Sequence, residues 1–309
     1  MLDKLVKMCH NNMNANIIFG RSTMSQNPIS VISEKMPTLS KSHKRIGTYI
    51  IENSDKAMSM TATRLGEVTG VSESTVVRFA NELGYKGYPE LQKALKNLVK
   101  NKLTSVQRIG VSDSTIGNDV LGAVMLNDID NLKASVEQLD REQFETASQM
   151  IASAKSVYIV GVRSSSMLAN FLYYYLDLIM DNVHLVLTAG AGEIYEQLRR
   201  IGRDDVIIGI TFPRYSARTV DCLKFAHKSG ASIVAITDNE ISPVSSVADS
   251  VLYVKSDMAS FVDSLVGPLS VINALIVSVG RKKKDSLENT FKRLEEIWEE
   301  FEVYEKSKN

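Results

Sequence analysis

The sequence predicts an α/β chain in two parts: an all-helical front with a helix-turn-helix pattern, then a doubly wound parallel sheet of five strands. Three observations carry this. Two short helical units, "TATRLGEVTG" and "SESTVVRFANELG", meet at a glycine. Behind them, five short apolar runs alternate with helical patterns, the signature of a parallel sheet covered on both faces. The charge is also split. Residues 31–110 carry 13 basic and 7 acidic side chains, whereas 111–309 carry 20 basic and 28 acidic ones, so a net charge of zero hides a basic front and an acidic rear. A basic module beside an acidic one suggests a nucleic-acid partner for the first and a different task for the second.

Length and composition agree. The 309 residues suit two domains, and 44% hydrophobic with 23% charged residues excludes a wholly disordered chain. Cys9 and Cys222 are too few for a disulfide framework, which points to a reducing, cytoplasmic setting. The four histidines, His10, His43, His184 and His227, lack metal-ligand spacing, so neither a metal nor another cofactor is expected. The most apolar stretch, Pro268 to Gly280, is too short to span a bilayer, and no signal-peptide pattern opens the chain.

Residues 1–27 are rich in Asn and lack apolar periodicity, so they are expected to be a disordered extension, with Met24 a plausible start. A helical domain is expected over 28–104. Helical spacing runs from Leu39 to Ile51, with Thr38 or Ser40 as N-cap, and a polar break follows at Glu52 to Lys56. Gly70 suits the left-handed position that ends a helix, and Ser72 can cap the next one. In that second helix Val76, Phe79, Ala80 and Leu83 share the inward face. Ser74, Thr75, Arg78 and Asn81 then point outward, as short hydroxyls, a forked cation and an amide that can reach base edges and phosphates in a major groove. Glu73 could accept from a cytosine amino group. Lys86 lies in "GYKGYPE", Pro89 suits a first helical residue, and Lys93, Lys96, Lys100 and Lys102 fit phosphate neutralisation. The partner so expected is double-stranded operator DNA.

A linker is expected over 105–117 and a second domain over 118–309. Helical patterns occupy Asn118 to Leu139 and Arg141 to Ala154. The strands are "SVYIVG", "VHLVL", "DVIIGIT", "SIVAIT" and "SVLYVK", and a charged helical tail ends the chain. Ligands of such sheets bind beyond the carboxyl ends of the strands, against helix N-termini. Two loops qualify. In "GVRSSS", Gly161 permits a tight turn, Ser164, Ser165 and Ser166 open a helix, and Arg163 can pair with phosphate or carboxylate. In "TFPRYSART", Thr211, Ser216 and Thr219 supply hydroxyls, Arg214 a cation and Tyr215 an aromatic wall. Together they make a site for a small anionic effector. Glu193, after "TAGAG", is the carboxylate to test as a base, whereas His184 reads as a core residue and His227 as a residue of a helix body. The dinucleotide, P-loop and nucleophile-elbow motifs are all missing from the sequence.

With these residues in view, the chain from about Ile29 onward resembles the RpiR family of bacterial transcription regulators. "VSESTVVRFANELGYKGYPELQKAL" resembles that family's helix-turn-helix. The rear resembles a SIS (sugar isomerase) domain, with "GVRSSS" as its first ligand loop and "DVIIGITFPRYSARTVDCLKFAHKSGASIVAIT" as the strand-loop-helix-strand that follows. The family pattern in the second loop is Ser-x-Ser-Gly-x-Thr. Thr211 and Ser216 keep its outer hydroxyls, while Pro213 and Arg214 replace its centre, removing one backbone amide and adding a cation. The resemblance implies a non-enzymatic, homodimeric or homotetrameric regulator that senses a phosphosugar or related anion. The alternative is a sugar-phosphate isomerase or lyase of the SIS type with an accessory helical domain. Candidate oligomer surfaces are the apolar helix Asp263 to Val279 and the tail with Phe291, Leu294, Ile297, Trp298 and Phe301; each could equally be core.

Overall fold

The computed structural model describes residues 28–58, 60–100, 108–109, 117–187, 190 and 192–305, with side chains left aside at 55 and 96–100. The expected N-terminal extension lies outside these residues. So does the expected linker, apart from Arg108, Ile109 and Gly117. The chain divides into two compact units, Met1–Leu95 and Lys96–Asn309.

The first unit is helical: α1 (Pro28–Lys35), α2 (Lys41–Glu52), α3 (Ser54–Ala57), α4 (Ala62–Thr69), α5 (Glu73–Glu82) and α6 (Tyr88–Lys100), whose last turns run past the cut. The polar break after α2 holds one short helical turn, α3, rather than a plain loop. Pro89 is the second residue of α6, not the first. Its missing N–H is tolerated there because the first four amides of a helix have no partner within it. Helix starts are set by hydroxyls: Ser40, Thr61 and Ser72 accept from the amides of His43, Arg64 and Thr75. Gly70 ends α4 in the left-handed region at φ 65°. Arg45 closes that end, donating to the carbonyls of Thr69 and Gly70. At Gly66 a Cβ would stand 2.8 Å from the Val71 carbonyl, so only glycine lets the turn between α4 and α5 fold this tightly. The core gathers Ile32, Ile46, Ile50, Leu65, Phe79 and Leu91, all fully buried.

The second unit opens with α7 (Val120–Gln138) and α8 (Arg141–Ser153), capped by Asp119 and Asp140. Then come β1 (Val157–Gly161), α9 (Ser165–Asp177), β2 (Val183–Leu185), α10 (Glu193–Gln197), β3 (Val206–Ile210), α11 (Ala217–Lys228), β4 (Ser232–Thr237), β5 (Ser250–Tyr253), α12 (Val266–Lys282) and α13 (Lys284–Glu300). The five strands form one parallel sheet in the order β2-β1-β3-β4-β5. Alternate strand residues face opposite layers. Ile159, Ile208 and Ile236 pack with α8, α9 and α12, while Val160, Ile207 and Ala235 pack with α10 and α11. β1, β3 and all but the first residue of β4 are buried throughout, as expected of strands covered on both faces. β2 is the sheet edge and is only three residues long.

One expectation changes here. His184 is not a core residue: it is exposed on β2, its ring 4.8 Å from that of Tyr158, because α9 covers only the other face of this edge strand, with Val183 and Leu185. The apolar helix α12 is mostly spent inside, with Val271, Ile272, Leu275, Ile276 and Val279 in the core. By contrast α13 buries no residue, and Phe291, Ile297 and Phe301 remain exposed. Among the described residues no helix is long and apolar enough to cross a membrane.

Phe79 is the largest fully buried side chain of the first unit's core. Phe79→Ala should cost about 3–5 kcal/mol, read as a lowered denaturant midpoint for the helical unit.

Candidate functional site

In the first unit, the outward face of α5 holds Ser74, Arg78 and Asn81, all exposed and spaced i, i+4, i+7. Thr75 is half-buried beside them. The Ser72 hydroxyl is 2.9 Å from that of Ser74 and 2.8 Å from that of Thr75, so the cap orients two of the four side chains. Arg78 Nε reaches back to the Ser74 carbonyl at 3.3 Å. Lys86 is exposed in the loop before α6, its backbone amide donating to Glu90. Glu73 is exposed, and its carboxylate accepts from the Thr63 hydroxyl at 2.7 Å, tying α5 to α4.

In the second unit, the chain turns back between β1 and β3, which are neighbours in the sheet. The loops after these two strands therefore flank one crevice at the carboxyl end of the sheet. Both expected loops are those loops. Gly161 ends β1, and its role is space rather than a turn: a Cβ would meet the Ser165 carbonyl oxygen at 2.5 Å. The left-handed residue of the turn is Arg163, at φ 60°. Arg163 is exposed, and among the described residues its guanidinium makes no ion pair. Its carbonyl accepts from the amide and hydroxyl of Ser166, at 3.0 and 2.6 Å. Ser165 is buried in the first turn of α9.

The second loop folds on itself. The Ser216 amide donates to the Thr211 hydroxyl at 3.3 Å, and Thr211 is buried. Arg214 is exposed on the same loop. Tyr215 is more than an aromatic wall: its hydroxyl donates to Asp238 Oδ1 at 2.8 Å and accepts from Asn239 at 3.3 Å. Burial and the Asp238 carboxylate together raise the Tyr215 pKa above its ordinary value. Burial also raises that of Asp238, while the Tyr215 hydroxyl opposes the rise.

Neither Ser164 nor Ser216 caps its helix with its side chain; the same holds at Asn53, Gly192, Leu265 and Lys283, whereas Ser40, Thr61, Ser72, Asp119 and Asp140 do cap theirs. Two buried side-chain polar atoms lack a partner among the described residues: Thr219 Oγ1, in the first turn of α11, and Arg108 Nε. Unfilled buried groups cost free energy, so each calls for an explanation.

Three further residues join these loops. Asp263 pairs with Arg108 at 2.9 Å and lies 3.5 Å from the Ser164 hydroxyl. Arg108 also donates to the Pro213 carbonyl at 3.4 Å. Asp238 follows β4 directly. The two loops expected from the sequence are those after β1 and β3. Asp238 was within reach of the same strand-end rule applied to β4, whereas Arg108 pairs across 155 residues and carries no local signal. Glu193 is exposed at the start of α10 and, among the described residues, makes no hydrogen bond or ion pair to either loop. No cluster of metal-ligating residues occurs among the described residues.

Comparison with known proteins fits this geometry. Residues 26–102 match the helix-turn-helix domain of the rpiR family, and residues 150–278 match the SIS domain. A protein of Caldanaerobacter subterraneus named as an HTH-type transcriptional regulator is 25% identical over 277 residues, covering 85% of this chain and 95% of its own. The sugar isomerase domain of an RpiR transcription factor from Sphaerobacter thermophilus is 28% identical, with a TM-score of 0.54 over 56% of this chain and 96% of that one. The Vibrio vulnificus NanR protein, solved with ManNAc-6P, shares the fold at 22% identity, with a TM-score of 0.53 over 88% of this chain and 99% of its own.

The Tyr215–Asp238 bond yields a pH prediction. Tyr215→Phe removes a donor that favours the ionised carboxylate, so Asp238 rises further above its unfolded value. A raised folded pKa costs stability once the pH exceeds the unfolded value, and that cost vanishes below it. Tyr215→Phe should therefore lose about 1.5–3 kcal/mol at neutral pH. In denaturant titrations the loss should shrink as the pH falls toward 4. The chain joins a helix-turn-helix domain of the rpiR family to a SIS domain, as a transcription regulator of RpiR type.

Proposed function

We propose that this chain is a DNA-binding transcription regulator whose α/β unit senses a small phosphorylated sugar or related anion. The reading head would be residues 28–104 and the sensor residues 118–309. The observation that carries the sensor assignment is the pair of uncapped helix starts, at Ser164 and Ser216, flanking the switch point of the sheet. Hydroxyls and amides unspent on capping, at the positive ends of α9 and α11, suit an oxyanion. Thr219 Oγ1, buried and unfilled, adds a further polar group to the same helix start. Arg163, Ser164, Ser165, Thr211, Arg214, Tyr215 and Ser216 would hold the effector beside Gly161. NanR, which shares the fold, is solved in complex with ManNAc-6P, which supports that ligand class. Glu193 would take no part in chemistry, since a general base must reach its substrate.

Ser74, Thr75, Arg78 and Asn81 would meet base edges and phosphates, with Lys86 on the backbone. A homodimer or homotetramer would present two heads to a two-fold-symmetric operator. The exposed Phe291 and Ile297 of α13 and the apolar side chains Leu121, Met125 and Leu126 of α7 offer the contact surface. A cytoplasmic location follows from such a role.

Two measurements test the reading. Arg78→Ala should weaken operator retention in a gel shift by roughly tenfold or more while leaving the circular dichroism unchanged; equal retention removes α5 from the interface. For the sensor, a thermal-shift screen would use fructose 6-phosphate, glucosamine 6-phosphate, N-acetylmannosamine 6-phosphate, citrate and inorganic phosphate. At least one should stabilise the protein, and Arg163→Ala should abolish that shift without changing ligand-free operator binding. No shift with any compound would leave only a ligand-free interaction module.

A further inference from the structure

Helix α13 is amphipathic and largely uncovered. Leu287, Phe291, Leu294, Trp298 and Phe301 recur at alternating steps of four and three, the spacing of a seam that runs beside another helix. Yet α13 buries no residue, and Phe291, Ile297 and Phe301 stay exposed. Helices in proteins draw most of their stability from the packing of such a face. The last turn is nonetheless closed firmly: the Val303 amide donates to the Trp298 carbonyl at 3.0 Å, and the Tyr304 ring lies edge-on 5.4 Å from that of Trp298.

Beside α13, against α12 and α9, runs an open groove of about 980 Å³. Its apolar lining includes the buried Ile179 and Ile276, the half-buried Leu178 and Leu287, and the exposed Val277 and Phe291. Charge is polarised along the same stretch. Arg281 to Lys284 form an unbroken basic run where α12 meets α13, whereas Glu295, Glu296, Glu299 and Glu300 make the far end of α13 acidic. Lys282 is spent on Glu145, and Lys284 on Glu288. Among the described residues, Arg281, Lys283 and those four glutamates make no ion pair. Two such helices laid parallel would set like charges together. Laid antiparallel, the basic start of each meets the acidic end of the other. A contact about a two-fold axis uses one patch twice, so the patch must complement itself, and only the antiparallel arrangement makes this one do so.

We infer that the groove takes α13 of a second copy of this chain, running antiparallel. Ile297 and Phe301 of each copy enter the groove of the other, and Glu299 and Glu300 face the other copy's Arg281 and Lys283. The contact is apolar at its centre and ionic at both ends. This rests on the homo-oligomeric reading given above and selects α13, rather than α7, as the surface. The groove fits an acidic amphipathic helix, and the chain itself supplies one.

Sedimentation of the full-length protein over a range of concentrations tests the pairing. Arg281→Glu/Lys283→Glu and Glu299→Lys/Glu300→Lys change side chains outside the hydrophobic core, so both should keep the circular dichroism of the unaltered protein. Each alone should weaken self-association about tenfold or more, because like charges then face each other at both ends. A dimer should fall to monomers, and a tetramer to dimers. Mixed in equal amounts, the two variants should associate again as mixed pairs, since every reversed basic end then meets a reversed acidic one. If either variant associates as tightly as the unaltered protein, or if the mixture associates no better than its components, the α13 pairing falls and the homo-oligomer reading passes to α7. If the unaltered protein is a monomer throughout, that reading falls and the pairing with it.

Discussion

The crevice exists because the chain reverses its direction of travel across the sheet between β1 and β3. One crossover leads outward to β2 at the edge, and the next returns past β1 to start β3 on its other side. Right-handed crossovers put the helices after these strands on opposite faces, so their N-termini diverge and leave a gap at the strand ends. The packing confirms the opposition, with α9 in one hydrophobic layer and α11 in the other. Every feature of the candidate sensor depends on that gap. Gly161 lets α9 start hard against the end of β1, and Thr211 turns the second loop back on its own helix.

Around the gap, polar groups are satisfied in an uneven way. Tyr215, Asp238 and Asn239 form a closed hydrogen-bonded set on one side. Nearby, Thr219 Oγ1 and Arg108 Nε are buried and unfilled. A folded protein tolerates such groups where something outside the chain completes them. The helical unit shows the opposite economy. Its helix starts are capped by Ser40, Thr61 and Ser72, and Arg45 fills the carbonyls at the end of α4. Among the described residues, both unfilled buried groups lie in the second unit.

Local patterns made most of the fold legible in the sequence. The inward set of Val76, Phe79, Ala80 and Leu83, the caps at Ser40 and Ser72, and all five strands follow from periods of 3.6 and 2 and from hydroxyl chemistry. What could not be read was whatever depends on a neighbour distant in sequence. His184 looked interior because its strand is apolar, but only the strand order puts that strand at an edge covered on one face. The role of Gly161 depends on where Ser165 returns, and the role of Glu73 on where Thr63 stands. Arg108 sat in a polar stretch with no period at all, so nothing local tied it to Asp263.

The close approach at Gly66 has a consequence for how this head could come to recognise new sequences. The Val71 carbonyl packs against the bare Cα of Gly66, so this backbone contact, together with the shared core of Leu65, Val76 and Phe79, fixes the angle between the two helices. The exposed Arg78 and Asn81 of α5 lie outside that core. Lineages could therefore exchange them freely and drift from one operator to another while the scaffold beneath stays unchanged. Scaffold and reading code are separable in this head, and the glycine keeps them so.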